Sequence, residues 1–250
     1  MKILLVNDDG IQAPGLFELA KLARTLGDVT VVAPKHQCSG MSQKLTLSGE
    51  MELTPEPDFP VAGVTAWSLD GTPTDCVKVG LDFCCDTVPD IIFSGINNGT
   101  NLGYDTAYSG TLGGAFEAVQ NGIPAIAFSV EYNTPFDGVE AYFTQLMERA
   151  LPLTGQKNVI LNINFPACSA GEIKSIAWDV PLSGMQMYRD GLTKSTRDGK
   201  IFIEVEGVRI ADSEAQPGTD IDAVIAHCIS VSVISPVAEP FRPLRKSSVI

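Results

Sequence analysis

Several residue classes are scarce or missing in this 250-residue chain, and each shortage removes a class of function. Histidine occurs only at His36 and His227, and the six cysteines (38, 76, 84, 85, 168 and 228) contain no C-x-x-C pair. That excludes a zinc finger and argues against any thiolate or imidazole metal centre. Basic residues number 17 against 30 acidic ones, for a net charge of −13, so there is no positive field to hold a nucleic acid duplex or an anionic membrane surface. No apolar run approaches the roughly 18 residues of a membrane-spanning helix. The amino terminus has no signal-peptide pattern, and the default expectation is a cytoplasmic protein with reduced, mostly buried thiols. G-x-G-x-x-G is also missing, which removes the usual dinucleotide-binding turn.

Oxygen donors are plentiful, and the first of them stand at an informative place. An apolar run at residues 3–6 leads straight into Asn7-Asp8-Asp9-Gly10. The run has the length of a buried strand and is closed by turn residues. Two carboxylates would thus sit at the carboxyl end of a strand, where open α/β sheets bind ligands. Adjacent anions repel, so a cation is expected between them. Taken alone, an Asp-Asp-Gly triplet reads equally well as a turn or a helix cap.

The rest of the first half alternates strand and helix. Leu16, Leu19, Ala20, Ala23 and Leu26 follow helical spacing with Gly27 as the expected C-cap, and residues 29–33 form a second strand stopped by Pro34. Strands are expected within 45–69. A helix from Thr72-Pro73-Thr74-Asp75 should run to about Phe83, with Thr72 as N-cap. Residues 90–93 give the next strand and 94–103 a long turn-rich loop. A helix from Ser109-Gly110-Thr111 to Asn121-Gly122 follows, then a strand at 125–130. Next come a helix at 137–151, capped by Asp137 and Glu140, and a strand at 159–163. This βαβα order predicts an α/β fold: a doubly wound, mostly parallel, Rossmann-like sheet. From about 174 the texture changes. Alternating segments at 176–180 and 201–208 flank a polar stretch and predict a protruding β-hairpin. The last strand is expected at 229–234, before a Pro-rich, basic tail. The expected organisation is a single domain over 1–250, with 174–228 as a hairpin extension.

Three further loops fall on the edge that carries Asp8 and Asp9. Gln37-Cys38-Ser39-Gly40 follows strand two. SGINNGTNLG (94–103), with Asn97 and Asn101, follows strand three, and its amides can serve a hard cation. Ser109-Gly110-Thr111 opens a helix, whose free N–H groups and dipole suit an anion. Any one of them could be an ordinary loop or cap; together they suggest a metal–phosphate site.

At this point the chain resembles the SurE family of stationary-phase survival proteins. The matching stretches are ILLVNDDGIQAPGL (3–16), VVAPKHQCSGMS (31–42), GTPTDCV (71–77), SGINNGTNLG (94–103), Ser109–Thr111, LNINFP (161–166) and Gly218–Asp220. The resemblance implies a metal-dependent 5'-nucleotidase that hydrolyses nucleoside 5'-monophosphates, with 3'-monophosphates and short polyphosphate as further candidate substrates. It implies one divalent metal ion per subunit, Mg or Mn, held by Asp8, Asp9, Ser39 and Asn97. Asp8 and Asp9 would then also be the catalytic residues, with water the favoured nucleophile. Asn101, Ser109, Gly110, Thr111 and Ser42 would face the phosphate. It further implies a homodimer or homotetramer assembled through the C-terminal part, the hairpin region included. Gln43 departs from the family, which carries Asn or His there. Two competing readings meet this sequence less well. A haloacid-dehalogenase-like phosphatase needs its two aspartates separated by one intervening residue, whereas Asp8 and Asp9 are adjacent, and a Mg-binding receiver-type signalling domain needs an aspartate where Ser94-Gly95 stands.

Overall fold

The structure is a computed structural model that describes residues 1–155 and 159–235. The order of its main elements is β1 (Lys2–Val6), α1 (Pro14–Arg24), β2 (Asp28–Pro34), β3 (Leu53–Pro55), β4 (Val64–Leu69), α2 (Pro73–Val79), β5 (Ile91–Asn98), α3 (Gly110–Gln120), β6 (Ala125–Val130) and α4 (Asp137–Thr154). There follow β7 (Ile160–Phe165), β8 (Ser175–Trp178), β9 (Tyr188–Arg197), β10 (Lys200–Arg209), α5 (Asp220–Ile225) and β11 (Cys228–Ile234).

Nine strands form one sheet in the order β3-β4-β2-β1-β5-β6-β7-β11-β8. It is a mostly parallel α/β sheet: β3 runs antiparallel to β4, and β11 runs antiparallel to β7. The chain first winds outward from β1 through β2 and β4, then returns to the other side of β1 for β5, β6 and β7. This reversal beside β1 opens a crevice at the carboxyl ends of β1 and β5, the usual ligand position in such sheets. Both faces are covered, so the central strands read as unbroken apolar runs. Leu16 and Leu19 of α1 and Phe143 and Leu146 of α4 pack on one face; Cys76 and Val77 of α2 and Leu112 and Ala115 of α3 pack on the other.

Local chemistry sets most element boundaries as expected. Thr72 caps α2 in a full capping box: its hydroxyl accepts from the Asp75 N–H, and Asp75 accepts from the Thr72 N–H. Ser109 caps α3 by accepting from the Leu112 N–H at 3.1 Å.

Five expectations need correction. Helix α1 stops at Arg24 with Thr25 as its cap, so Gly27 lies beyond the helix, in the turn into β2. Asp137 and Glu140 do not cap α4: the cap position is Phe136, Asp137 accepts from the Ala170 N–H at 2.9 Å, and Glu140 meets Glu18 of α1. Strand β5 runs four residues past Ser94. A bulge between Ser94 and Asn97 lets its pairing with β6 resume at Asn97 and Asn98. Gly95 makes the bulge possible, because at φ +133° it lies so close to Phe128 O that a Cβ would overlap it. The segment around Ile176 is no part of the hairpin. As β8 it closes the main sheet beside β11, and the hairpin pairs the polar strand β9 with β10 across the Asp198-Gly199 turn. Both turn residues have positive φ, the geometry of a two-residue hairpin loop. Finally, only Cys38 and Cys76 are buried; the other four cysteines are half-exposed.

The hairpin stands apart from the nine-stranded sheet and exposes Leu192, Ile201, Ile203, Val205 and Val208. Its root is tied to the body by Arg209, whose guanidinium pairs with buried Glu131 at 3.1 Å and with Asp212 at 2.7 Å. The Pro-rich, basic tail from 236 onward lies outside the described residues. Among the described residues, no helix is long and apolar enough to cross a membrane.

Candidate active site

Strand β1 ends in a turn locked by Asn7, whose side chain donates to Gly10 O at 2.9 Å and accepts from the Gly10 N–H. This fixes the two aspartates in between. Asp8 is 2% exposed, and its Oδ1 accepts the Thr111 hydroxyl at 2.6 Å. The Thr111 N–H also bonds to it, so the start of α3 is built against this carboxylate. Burial, partly countered by the Thr111 bonds and reinforced by the Asp9 charge, raises the Asp8 pKa to about 6. Gly110 permits the close approach: a Cβ there would stand 2.9 Å from Asp8 Oδ2. Asp9 faces the other way. Its Oδ2 accepts from the Asn98 N–H at 3.0 Å and its Oδ1 from the Gln37 side chain at 3.4 Å.

A pocket of about 230 Å³ gathers Asp8, Ser39, Asn97, Asn101 and Ser109 from four separate segments. Asn98, whose amide belongs to the same 94–103 loop, also lines it, as do Asp105 and Tyr108, to which the sequence assigned no ligand role. Among the described residues no three His, Cys, Asp or Glu side chains come together. A cation held here would therefore be completed by neutral oxygens. The Ser39 side chain is exposed and has no hydrogen-bond partner among the described residues, and Asn97 donates its amide to Gly99 O at 2.6 Å, which leaves Oδ1 free. Of the four expected ligands, Asp8, Ser39 and Asn97 line this pocket and Asp9 adjoins it from the neighbouring hollow; together they make an all-oxygen donor set, which fits a hard divalent cation such as Mg²⁺ or Mn²⁺.

Not every expected phosphate residue lies in the pocket. Ser42 donates its hydroxyl to Ala107 O at 2.8 Å and pins the 39–44 loop to the turn before α3. Thr111 meets Asp8. Asn101 lines the pocket, with its amide nitrogen donated to Ser129 Oγ at 2.9 Å. Behind it stands a layer the sequence reading left without a role: Asn162 and Asn164 of β7, both fully buried and both hydrogen-bonded to the Asn101 backbone. The signal for them was present, as two asparagines in the otherwise apolar run ILNINF need partners if buried.

The family described as Survival protein SurE matches residues 3–188. The chain belongs to the SurE family. A 5'-nucleotidase SurE of Nitrobacter winogradskyi is 35% identical over 246 residues, covering 93% of this chain and 92% of that protein. One from Brucella canis is 37% identical over 242 residues, covering 93% and 91%. The crystal structure of the SurE protein from Aquifex aeolicus superposes with a TM-score of 0.77 at 32% identity, covering 94% of this chain and 93% of that one. The matched SurE segment contains every residue of the pocket and stops at the first residue of β9.

Proposed function

We propose that this protein is a phosphoric monoester hydrolase that removes phosphate from nucleoside 5'-monophosphates with the help of one divalent cation, Mg²⁺ or Mn²⁺. The SurE relatives carry the name 5'-nucleotidase and match nearly the whole chain. The observation that carries the reading is the convergence of Asp8, Ser39, Asn97, Asn101 and Ser109 on one small pocket at the amino end of α3. Such a pocket offers the Asp8 carboxylate, with Asp9 next to it, to a cation, and donors at the start of α3 to an anion.

Asp8, Asp9, Ser39 and Asn97 would hold the cation, which when bound acts as a Lewis acid on phosphate and lowers the pKa of water. The Ser109 hydroxyl and the first turn of α3 would meet the phosphate oxygens, with the positive end of the helix dipole favouring negative charge there. Their donors are fixed before substrate arrives, so charge growing on the phosphoryl oxygens meets dipoles that need no reorganisation. The bonds from Thr111 hold the buried Asp8 carboxylate in place at the pocket.

Six free cysteines suit the reducing cytoplasm. The exposed apolar side chains of the hairpin, within the 174–228 region, suit self-association into a homodimer or homotetramer, which sedimentation velocity tests directly.

The deciding experiment is phosphate release from a panel of nucleoside 5'- and 3'-monophosphates and short polyphosphate, after chelation and after return of Mg²⁺ or Mn²⁺. Turnover of 5'-monophosphates only with added cation supports the reading. Undiminished turnover in excess chelator removes the metal, and failure on every nucleotide removes the activity.

A further inference from the structure

The two adjacent aspartates open onto different hollows. On the Asp9 side lies a second cavity of about 570 Å³, walled by Pro14, Pro135 and Phe136 and edged by Gln37, Asn133 and Thr134. Asn98 lines both cavities, so they adjoin. It also ties them together: its N–H donates to Asp9 Oδ2 at 3.0 Å, and its Oδ1 accepts from the Asn133 N–H at 2.9 Å. Asn133 is held at φ +58°, a backbone region asparagine enters more readily than most residues.

Volume separates the roles of the two hollows. Sites that enclose an organic ligand measure roughly 300–1,000 Å³. The Asp8 pocket, at about 230 Å³, lies below that range, a size that suits a phosphate and a cation. The Asp9 cavity falls inside the range, and its lining has the mixed character that a base requires. Phe136 offers an aromatic ring and the two prolines offer flat apolar walls, while the Gln37 and Asn133 amides each carry a donor and an acceptor for a base edge or ribose hydroxyls.

We infer that the Asp9-side cavity seats the nucleoside of the substrate, with the base against Phe136 between Pro14 and Pro135 while the phosphate lies beside Asp8. The inference rests on the nucleotidase reading and deepens it. The aspartate pair then marks the join between chemistry and recognition, and selectivity for nucleotides over simple phosphate esters resides in Phe136 and Asn133. The nearest rival platform is Tyr108, 59% exposed at the edge of the smaller pocket.

The test compares a purine nucleoside 5'-monophosphate with glycerol phosphate, which has no base, in Phe136→Leu, Asn133→Ala and Tyr108→Ala. Leucine keeps most of the apolar bulk of Phe136, which packs partly against the core, and removes only the aromatic face. Base–aromatic stacking predicts a fall of about tenfold or more in the nucleotide-to-glycerol-phosphate ratio of kcat/KM for Phe136→Leu, carried by KM. Asn133→Ala should lower the same ratio. An unchanged ratio in both variants overturns the inference, as does a ratio that falls in Tyr108→Ala alone. Wild-type protein that hydrolyses neither ester overturns the nucleotidase reading itself. Wild-type protein that prefers glycerol phosphate leaves the phosphatase standing and overturns only the nucleoside cavity.

Discussion

The side chain of Asn164 brackets the backbone of Asn101: Oδ1 accepts from the Asn101 N–H at 2.7 Å, and Nδ2 donates to its carbonyl at 3.3 Å. Asn162 adds a second donor to that carbonyl at 2.8 Å. A buried strand thus supplies, through side chains, the hydrogen bonds that a neighbouring strand would have given a pocket-lining loop. The pocket-lining loop is therefore held by sheet-like hydrogen bonds, although its own sequence, NNGTN, favours turns.

Removing that bracket should damage catalysis more than the fold. Asn164→Ala leaves the Asn101 N–H buried without a partner, at a stability cost of about 1–3 kcal/mol. A pocket residue displaced by an ångström can lower turnover by about a hundredfold. We expect kcat to drop by one to two orders of magnitude with cooperative unfolding retained. Cation affinity should stay unchanged, since Asp8 and Asp9 are untouched. Isothermal titration with Mn²⁺ beside steady-state kinetics checks both halves. Wild-type turnover in Asn164→Ala would show that Asn101 needs no bracket.

Gly110 is required by distance and not by dihedral freedom. A methyl group there would lie 2.8 Å from Asp8 Cβ and 3.1 Å from Cys38 O, so Gly110→Ala must push the start of α3 away from β1. The Thr111 bonds to Asp8 would lengthen with it. The expected result is a loss of activity of about a hundredfold, in the range seen when one fixed donor to a reacting group is removed. Stability should change modestly, because alanine favours helix by about 1 kcal/mol over glycine and offsets part of the strain. Phosphate release and thermal unfolding measured on the same preparation test this pair of outcomes.

Much of this arrangement was legible in the sequence, for identifiable reasons. Asp8 and Asp9 stood out because an apolar run long enough for a buried strand ended on them, and the helix starts at Thr72 and Ser109 carried explicit capping residues. The bulge at Gly95 was hidden because Gly and Asn announce turns, whereas here they extend β5 by four residues and carry Asn97 to the pocket. Strand β9 was hidden because both faces of the hairpin are exposed, which removes the apolar alternation that signals a strand. Asn162 and Asn164 were visible as polar residues in a buried run, but their partner lies some sixty residues away, beyond any local pattern.

The capping box at Thr72 predicts an acid-sensitive contribution to stability. Burial by itself would raise the Asp75 pKa, but bonds from the N–H and hydroxyl groups of both Thr72 and Thr46 outweigh it and hold the carboxyl below its usual value. A lowered folded pKa means that this stabilisation is complete above the unfolded value, near 3.8, and is lost as pH falls through the folded value. Asp75→Ala should cost about 2 kcal/mol near neutral pH, from the lost cap and charge-assisted bonds. That corresponds to a fall in Tm of about 4–8 °C for a chain of this size. The gap should narrow below pH 4. A gap that stays constant from pH 7 to pH 3 would contradict the assignment.

Asp8 runs the opposite way, and this separates its role in chemistry from any role in stability. Its folded pKa of about 6 lies above the usual aspartate value of 3.8, so the cation-free protein binds the Asp8 proton more tightly than the unfolded chain does. Stability referred to this group therefore falls as pH rises from about 4 to about 6, and above that range the folded state bears the full cost of a buried charge. The rise from 3.8 to about 6 corresponds to about 3 kcal/mol. In Asp8→Asn the amide oxygen would still accept the Thr111 hydroxyl while carrying no charge, so in excess chelator this variant should melt several degrees higher than wild type at pH 8. The two should converge near pH 4. Added Mn²⁺ should reverse the order at pH 8, because the carboxylate pair then gains a cation that the variant holds poorly. Phosphatase turnover should be abolished in Asp8→Asn throughout. Thermal melts at pH 4, 6 and 8, with chelator and with Mn²⁺, test each step; a variant less stable than wild type in chelator at pH 8 would mean that the Asp8 charge is already compensated within the protein.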